Sequence, residues 1–212
     1  MRLRFKPPLL ALLSLYLLAL WGVAADAASV KHRNIVDLIE LSDIIVAGRV
    51  EQVSDGLDAN NVPYTEVTLS VKESILGEIS NSYTFRQYGL LEPRDMGNGV
   101  VNLNTTPDGW PQFVQGEDVV LFLYQAAALT GLRTTVGLFQ GKFGVQSNLT
   151  CNSINNQGLF SNVAVDPSML SEGQQKFFGM NEGAVREDEF LSLVRRAVGE
   201  GWIQSGVMSN EN

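Results

Sequence analysis

Between residues 111 and 125 the chain reads PQFVQGEDVVLFLYQ. Val119, Val120, Leu121, Phe122, Leu123 and Tyr124 follow one another without a polar break, after Gly116, Glu117 and Asp118. A strand that is apolar on both faces must be covered on both. Other segments show cleaner periods. Thr65, Val67, Leu69 and Val71 alternate with Glu66, Thr68, Ser70 and Lys72, a period of two that predicts a strand over 64–77. Residues 82–89 place Tyr83, Phe85 and Gln87 opposite Thr84, Arg86 and Tyr88. Residues 44–53 are rich in β-branched side chains, with Val46, Gly48 and Val50 in alternation, and Gly48 permits a sharp bend. A fifth strand is predicted over 132–146, with glycines at 137, 141 and 144, and a short one over 162–165.

Two segments have helical spacing instead. Ile35, Val36, Leu38, Ile39 and Leu41 follow Asn34, a suitable N-cap with Asp37 three residues on, and the helix ends at Ser42 and Asp43. In REDEFLSLVRRAVG, residues 186–199, Phe190, Leu193, Val194, Ala197 and Val198 share a face. Acids fill its first turn, Arg195 and Arg196 its last, and Gly199 stops it. Residues 55–63 read as a loop. Residues 90–115 form a long excursion with Pro93, Pro107 and Pro111 and a hairpin signal at Asn98-Gly99.

These elements predict a mainly β fold: a small Greek-key barrel of the OB type with a short N-terminal helix and a C-terminal amphipathic helix. The 119–124 strand would turn one face into the barrel and the other under the helices. The alternative architecture is a β-sandwich. The domain reading assigns 1–27 to a signal peptide, 28–146 to the helix and barrel, and 147–212 to a loop-rich extension whose helix packs on the same domain.

The signal peptide follows from Arg2, Arg4 and Lys6, the apolar run 9–20, and Ala25-Asp26-Ala27 before the cut. The run is too short to span a bilayer, which takes about 20 residues. The protein is therefore expected to be exported, to the periplasm or the medium, with no membrane insertion after cleavage. The whole chain carries a net charge of −8. Removal of three basic residues with the signal makes the mature protein more acidic still. That balance excludes nucleic acid, whose phosphates need a basic surface. Cys151 is the only cysteine, so no intramolecular disulfide forms.

The succession LSDIIVAGRV, TEVTLSVKESILGE, TFRQYG, PQFVQGEDVVLFLY and VGLFQGKFGV, within residues 35–146, resembles secreted bacterial proteins with an OB-like barrel. These are distantly similar to the netrin-like domain of tissue inhibitors of metalloproteinases. The resemblance implies a barrel and, by analogy, a modulator of a secreted hydrolase or protease. Those inhibitors place an N-terminal cysteine on the protease zinc. Here the mature chain would begin at Ala28, so no inhibitory residue carries over.

Catalytic chemistry finds little footing. His32 is the only histidine and sits near the new N-terminus, a solvated position poorly suited to a triad. Residues 55–66 have the length of a calcium loop but hold Leu57 and Ala59 at ligand positions and Asn60 where glycine is needed; a looser site would use Asp55, Asp58 and Asn60. GLFQGKF, residues 137–143, has three residues between its glycines where a phosphate loop has four. Glu117 and Asp118 are adjacent on a strand, so they point to opposite faces and cannot share a substrate.

The leading expectation is an exported, non-enzymatic binding module without metal or cofactor. Its partner is a protein, and the contact residues are Arg94, Asp95, Asn98, Asp108 and Trp110 of the excursion. Tryptophan and arginine are enriched at binding hot spots. Trp110 either pins the loop to the barrel or waits for a partner. A hydrolase modulator and a carboxylate-dependent hydrolase are the alternatives.

Overall fold

Asn34 opens the first helix, α1 (Ile35–Glu40), by accepting the Asp37 N–H at 3.1 Å on its side-chain oxygen, as an N-cap does. This computed structural model describes residues 30–97 and 99–211. The proposed signal peptide and Asn98 lie outside them, and the compact unit is His32–Asn212. After α1 the chain enters β1 (Ile44–Leu57), then β2 (Pro63–Leu76) and β3 (Ser82–Tyr88). The excursion carries a small hairpin of β4 (Arg94–Asp95) and β5 (Val101–Asn102). The chain returns as β6 (Asp118–Leu123), followed by β7 (Lys142–Gln146), β8 (Leu149–Cys151) and β9 (Val163–Val165). Then come α2 (Glu172–Phe177), β10 (Val185–Arg186), α3 (Glu187–Gly199), α4 (Trp202–Ser205) and β11 (Met208–Asn210).

The fold is mainly β, as expected. Its main sheet is antiparallel, in the order β10-β8-β7-β6-β1-β2-β3. β6 returns after the excursion to lie beside β1, which gives the Greek-key order β6-β1-β2-β3. The first strand runs longer than its pattern predicts. Asp58 shortens the expected loop by accepting the Asn60 and Val62 N–H groups, each at 2.8 Å, so β1 and β2 pair to their ends.

The expected barrel is not closed. The sheet keeps two ends, β3 and β10, an arrangement with which a sandwich is also compatible. The cause is local. The predicted strand over 132–146 is broken in its middle. Thr135 bridges to Leu123, and the Arg133 N–H reaches the Arg86 carbonyl of β3 at 2.8 Å. Gly137 and Leu138 then take φ of 64° and 58°, and Leu138–Gly141 forms a 3₁₀ turn. Consecutive left-handed residues cannot extend a strand. Pairing with β6 resumes only at Lys142.

β6 is covered on both faces, and by different things. Val119, Leu121 and Leu123 join Val46, Val50, Val67, Leu69, Phe85 and Phe113 inside the curl of the sheet. Val120 and Phe122 join Ile45, Phe143, the apolar side of α1 and Phe190 and Leu193 of α3. Phe143 lies 5.6 Å from Phe122 and 5.0 Å from Phe190, ring centre to ring centre. The curl comes from register shifts along the β1–β2 pair at Ile45/Val46, Ala47/Gly48 and Val50/Gln52, since bulges bend strands. A side chain at Gly48 would collide with the Ser70 carbonyl.

Candidate functional site

The excursion is tied at its base. The Leu90 N–H donates to Asn104 O and its carbonyl accepts the Thr106 N–H, both at 2.9 Å, and Leu90 is fully buried. Asp55, near the end of β1, holds the next turn. Its carboxylate accepts the Leu91 N–H at 2.9 Å and the Arg94 guanidinium. In the hairpin Arg94 pairs with Asn102, and Asp95 with Val101. Directly paired residues share a face, so Arg94 and Asn102 lie on the half-buried side, with Arg94 bound to Asp55. Asp95 and Val101 lie on the other, and Leu103, two positions on, continues it.

Apart from Asp95, the outer side is therefore apolar. Val101 is 51% exposed and Leu103 71%, beside Val100 at 55% and Met96 at 41%. Hairpins on a protein surface normally turn polar residues outward and apolar ones inward. Here the order is reversed. Arg94 serves as a strut rather than a free contact group, and Asp95 spends a carboxylate oxygen on the Gly97 N–H at 2.8 Å.

Trp110 occupies a second place. Arg94 and Asp95 line a cleft of about 480 Å³ with Asp55, Leu91, Glu92 and Pro93, whereas Trp110 lines two others. One, of about 410 Å³, is walled by Pro111, Phe139, Lys142, Gly144 and Cys151 among others. The second, of about 300 Å³, includes Tyr88, Tyr124, Ala127, Leu132 and Arg133. Asp108 is exposed on the turn just before Trp110. The predicted contact residues thus fall into two groups, the hairpin and the Trp110 ridge.

The backbone around Trp110 is fixed from three sides. The Phe139 N–H donates to Gly109 O at 3.3 Å, the Gln87 side-chain amide to Pro111 O at 2.9 Å, and Lys142 Nζ to Gln112 O at 2.6 Å. Pro111 and Phe113 are buried, and Phe113 packs edge-on against Phe85 at 5.6 Å. These groups pin the loop. The Trp110 ring itself stays half-buried, 6.5 Å from the Tyr88 ring. Sequence reasoning missed Gln87, Lys142 and Phe139 as its supports, because they arrive from β3, β7 and the 3₁₀ turn.

The acids have structural partners. Lys142 Nζ meets both oxygens of Glu117 at 2.8 Å. Asp118 binds Arg49 at 2.7 Å and Lys72 at 2.9 Å; the hydrogen bond from Arg49 is the main reason its carboxyl is lowered to about 2. Asp55 and Asp58 are committed to Arg94 and to the turn. Among the described residues, no group of three or more His, Cys, Asp or Glu side chains is placed to hold a metal ion. His32 is exposed, with Nε2 bonded to the Gln157 carbonyl at 2.8 Å, and Cys151 is a half-buried free thiol. No family model matches this chain, and neither a curated protein nor a solved structure matches it.

Proposed function

We propose that this protein is an exported, non-enzymatic binding module that engages a protein partner through the outer side of the β4–β5 hairpin. The reversed alternation of the hairpin carries the reading. Val101, Leu103, Val100 and Met96 face water while Arg94 and Asn102 are half-buried. Such exposure gains nothing for folding, and clustered exposed apolar side chains mark contact surfaces. The Asp55 carboxylate and the Leu90 ties preorganise the hairpin, which lowers the entropy cost of binding. Export rests on the basic, apolar and small-residue pattern of residues 1–27.

A photoreactive amino acid at Leu103 tests the contact. It is expected to give a discrete adduct with an envelope or medium protein, while the same probe at Lys176, exposed on α2, gives none. Leu103→Glu should abolish the adduct formed from a probe at Val101, at unchanged melting temperature. Equal labelling from positions 103 and 176 contradicts the reading.

A further inference from the structure

We infer that the tip of the β4–β5 hairpin inserts between two apolar walls of a basic-rimmed cleft in its protein partner, which rests on the binding reading above and specifies the surface that partner must offer. A flat contact would cover one face of the hairpin, and the tip is apolar on both. Asp95 pairs with Val101, and the next rung joins Met96 to Val100, whose carbonyl accepts the Met96 N–H at 2.9 Å. Successive rungs alternate between faces. Met96 and Val100 therefore lie opposite Val101, on the side that carries Arg94 and Asn102. Nearer the base that side is held to β1 through Arg94 and Asp55. At the tip it is open: Met96 and Val100 are both exposed, and a methyl group added at Gly97 or Gly99 would meet nothing within 4 Å.

β6 shows the rule inside this molecule: a strand apolar on both faces is covered on both. The hairpin tip has the same pattern and overhangs the body, so its cover comes from outside. A single patch on a partner would bury Val101 and Leu103 and leave Met96 and Val100 in water. A cleft with two walls buries all four.

Charge sets the mouth of that cleft. Residues 96–107 hold no ionisable side chain. Glu92 and Asp95 stand exposed at the base of the tip, and neither makes an ion pair with another described residue. An uncharged finger with two unpaired carboxylates at its base fits an apolar cleft with lysine or arginine at its mouth. The net charge of −8 opposes a second copy of this chain in that role. A lipid surface would also surround the tip, but residues 91–107 hold no tryptophan, tyrosine or lysine to anchor it there, and Arg94, their one basic residue, is bound to Asp55.

Photoreactive amino acids placed singly at Val100 and at Val101 of the mature protein give the test. With envelope or medium proteins, both are expected to form adducts with the same protein, mapped by mass spectrometry to different segments of it. Val100→Asp puts a carboxylate against an apolar wall and should cut the adduct from position 101 by about tenfold at unchanged melting temperature. Val100→Leu should keep that adduct. Glu92→Gln combined with Asp95→Asn should lower the yield severalfold and flatten its dependence on salt. Phosphatidylcholine vesicles should not bind the protein. Adducts from 101 and 103 but none from 100, or an adduct from 101 that survives Val100→Asp, overturn the insertion and leave a one-faced contact, so the binding reading stands. No adduct from any of the three positions ends both. Binding to the vesicles, or adducts that join two copies of this chain, overturns the insertion by putting a different partner in the cleft's place.

Discussion

Leu121 has no exposed surface and sits at the centre of the inner face of β6. Its replacement by alanine removes buried carbon and leaves a cavity that a packed sheet cannot collapse into, so Leu121→Ala should cost about 2–5 kcal/mol. Urea denaturation measures it, and a loss below about 1 kcal/mol would contradict this placement. Asp118 makes an electrostatic prediction. Its folded carboxyl titrates at about 2, below the ordinary 3.8. A lowered acid contributes stability above its unfolded value and loses it as pH falls through the folded one. The denaturation midpoint should therefore drop between about pH 4 and pH 2. Asp118→Asn should make that drop shallower without removing it, because Asp166, Asp188 and Glu200 are also lowered. An unchanged slope would show that the Arg49 and Lys72 contacts do not persist in solution.

At the scale of elements, the hairpin depends on one buried-side carboxylate. Asp55→Ala removes the carboxylate that holds the Leu91 N–H and the Arg94 guanidinium, and leaves Arg94 only the Asp55 carbonyl at 3.4 Å. Because few core contacts are lost, the melting temperature should hardly move, while hydrogen exchange across residues 91–103 rises. Unchanged exchange there would mean that the Leu90 ties alone hold the hairpin. The helices are easier cases. α1 has its Asn34 cap and α3 its buried Phe190, Leu193, Val194 and Ala197, because capping and a 3.6-residue stripe are local properties. β8 and α2 lie in the 147–212 extension, which the residue pattern marks only as loop-rich. Their supports are distant: the Asn156 amide donates to Gly183 O, 27 residues on, at 3.0 Å, and the Gln174 amide to Glu189 O, 15 residues on, at 3.1 Å. No window along the chain contains such pairs.

Across the whole molecule, the two ends of the described chain meet. β11 pairs with β9, and Asn210 bonds to Asn34 at 2.7 Å and to Asp37 at 3.1 Å. Met208 and Trp202 complete the core under α1. No helix among the described residues is long and apolar enough to cross a membrane. Export makes its own prediction: mass spectrometry of the native protein should place the N-terminus at or near Ala28. A mature fraction that retains Met1 would end the localisation argument.

The residue order was enough for whatever depends on nearest neighbours along the chain. It marked the period-two strands, the capped helix, the amphipathic helix, and a β6 that had to be covered twice. It also pointed to the excursion as the place of interest and to Trp110 within it. The open barrel is a property of the fold alone, since closure failed on two left-handed residues, Gly137 and Leu138, inside an otherwise strand-like pattern. The fold alone also decided which side of the hairpin meets water. The alternation of Val101, Asn102 and Leu103 fixes that two of them share a side, but not which side. That choice was made by Asp55, about forty residues earlier in the chain, through its bond to Arg94 across from Asn102. A periodic pattern carries relative orientation, and absolute orientation comes from a partner that the fold brings in.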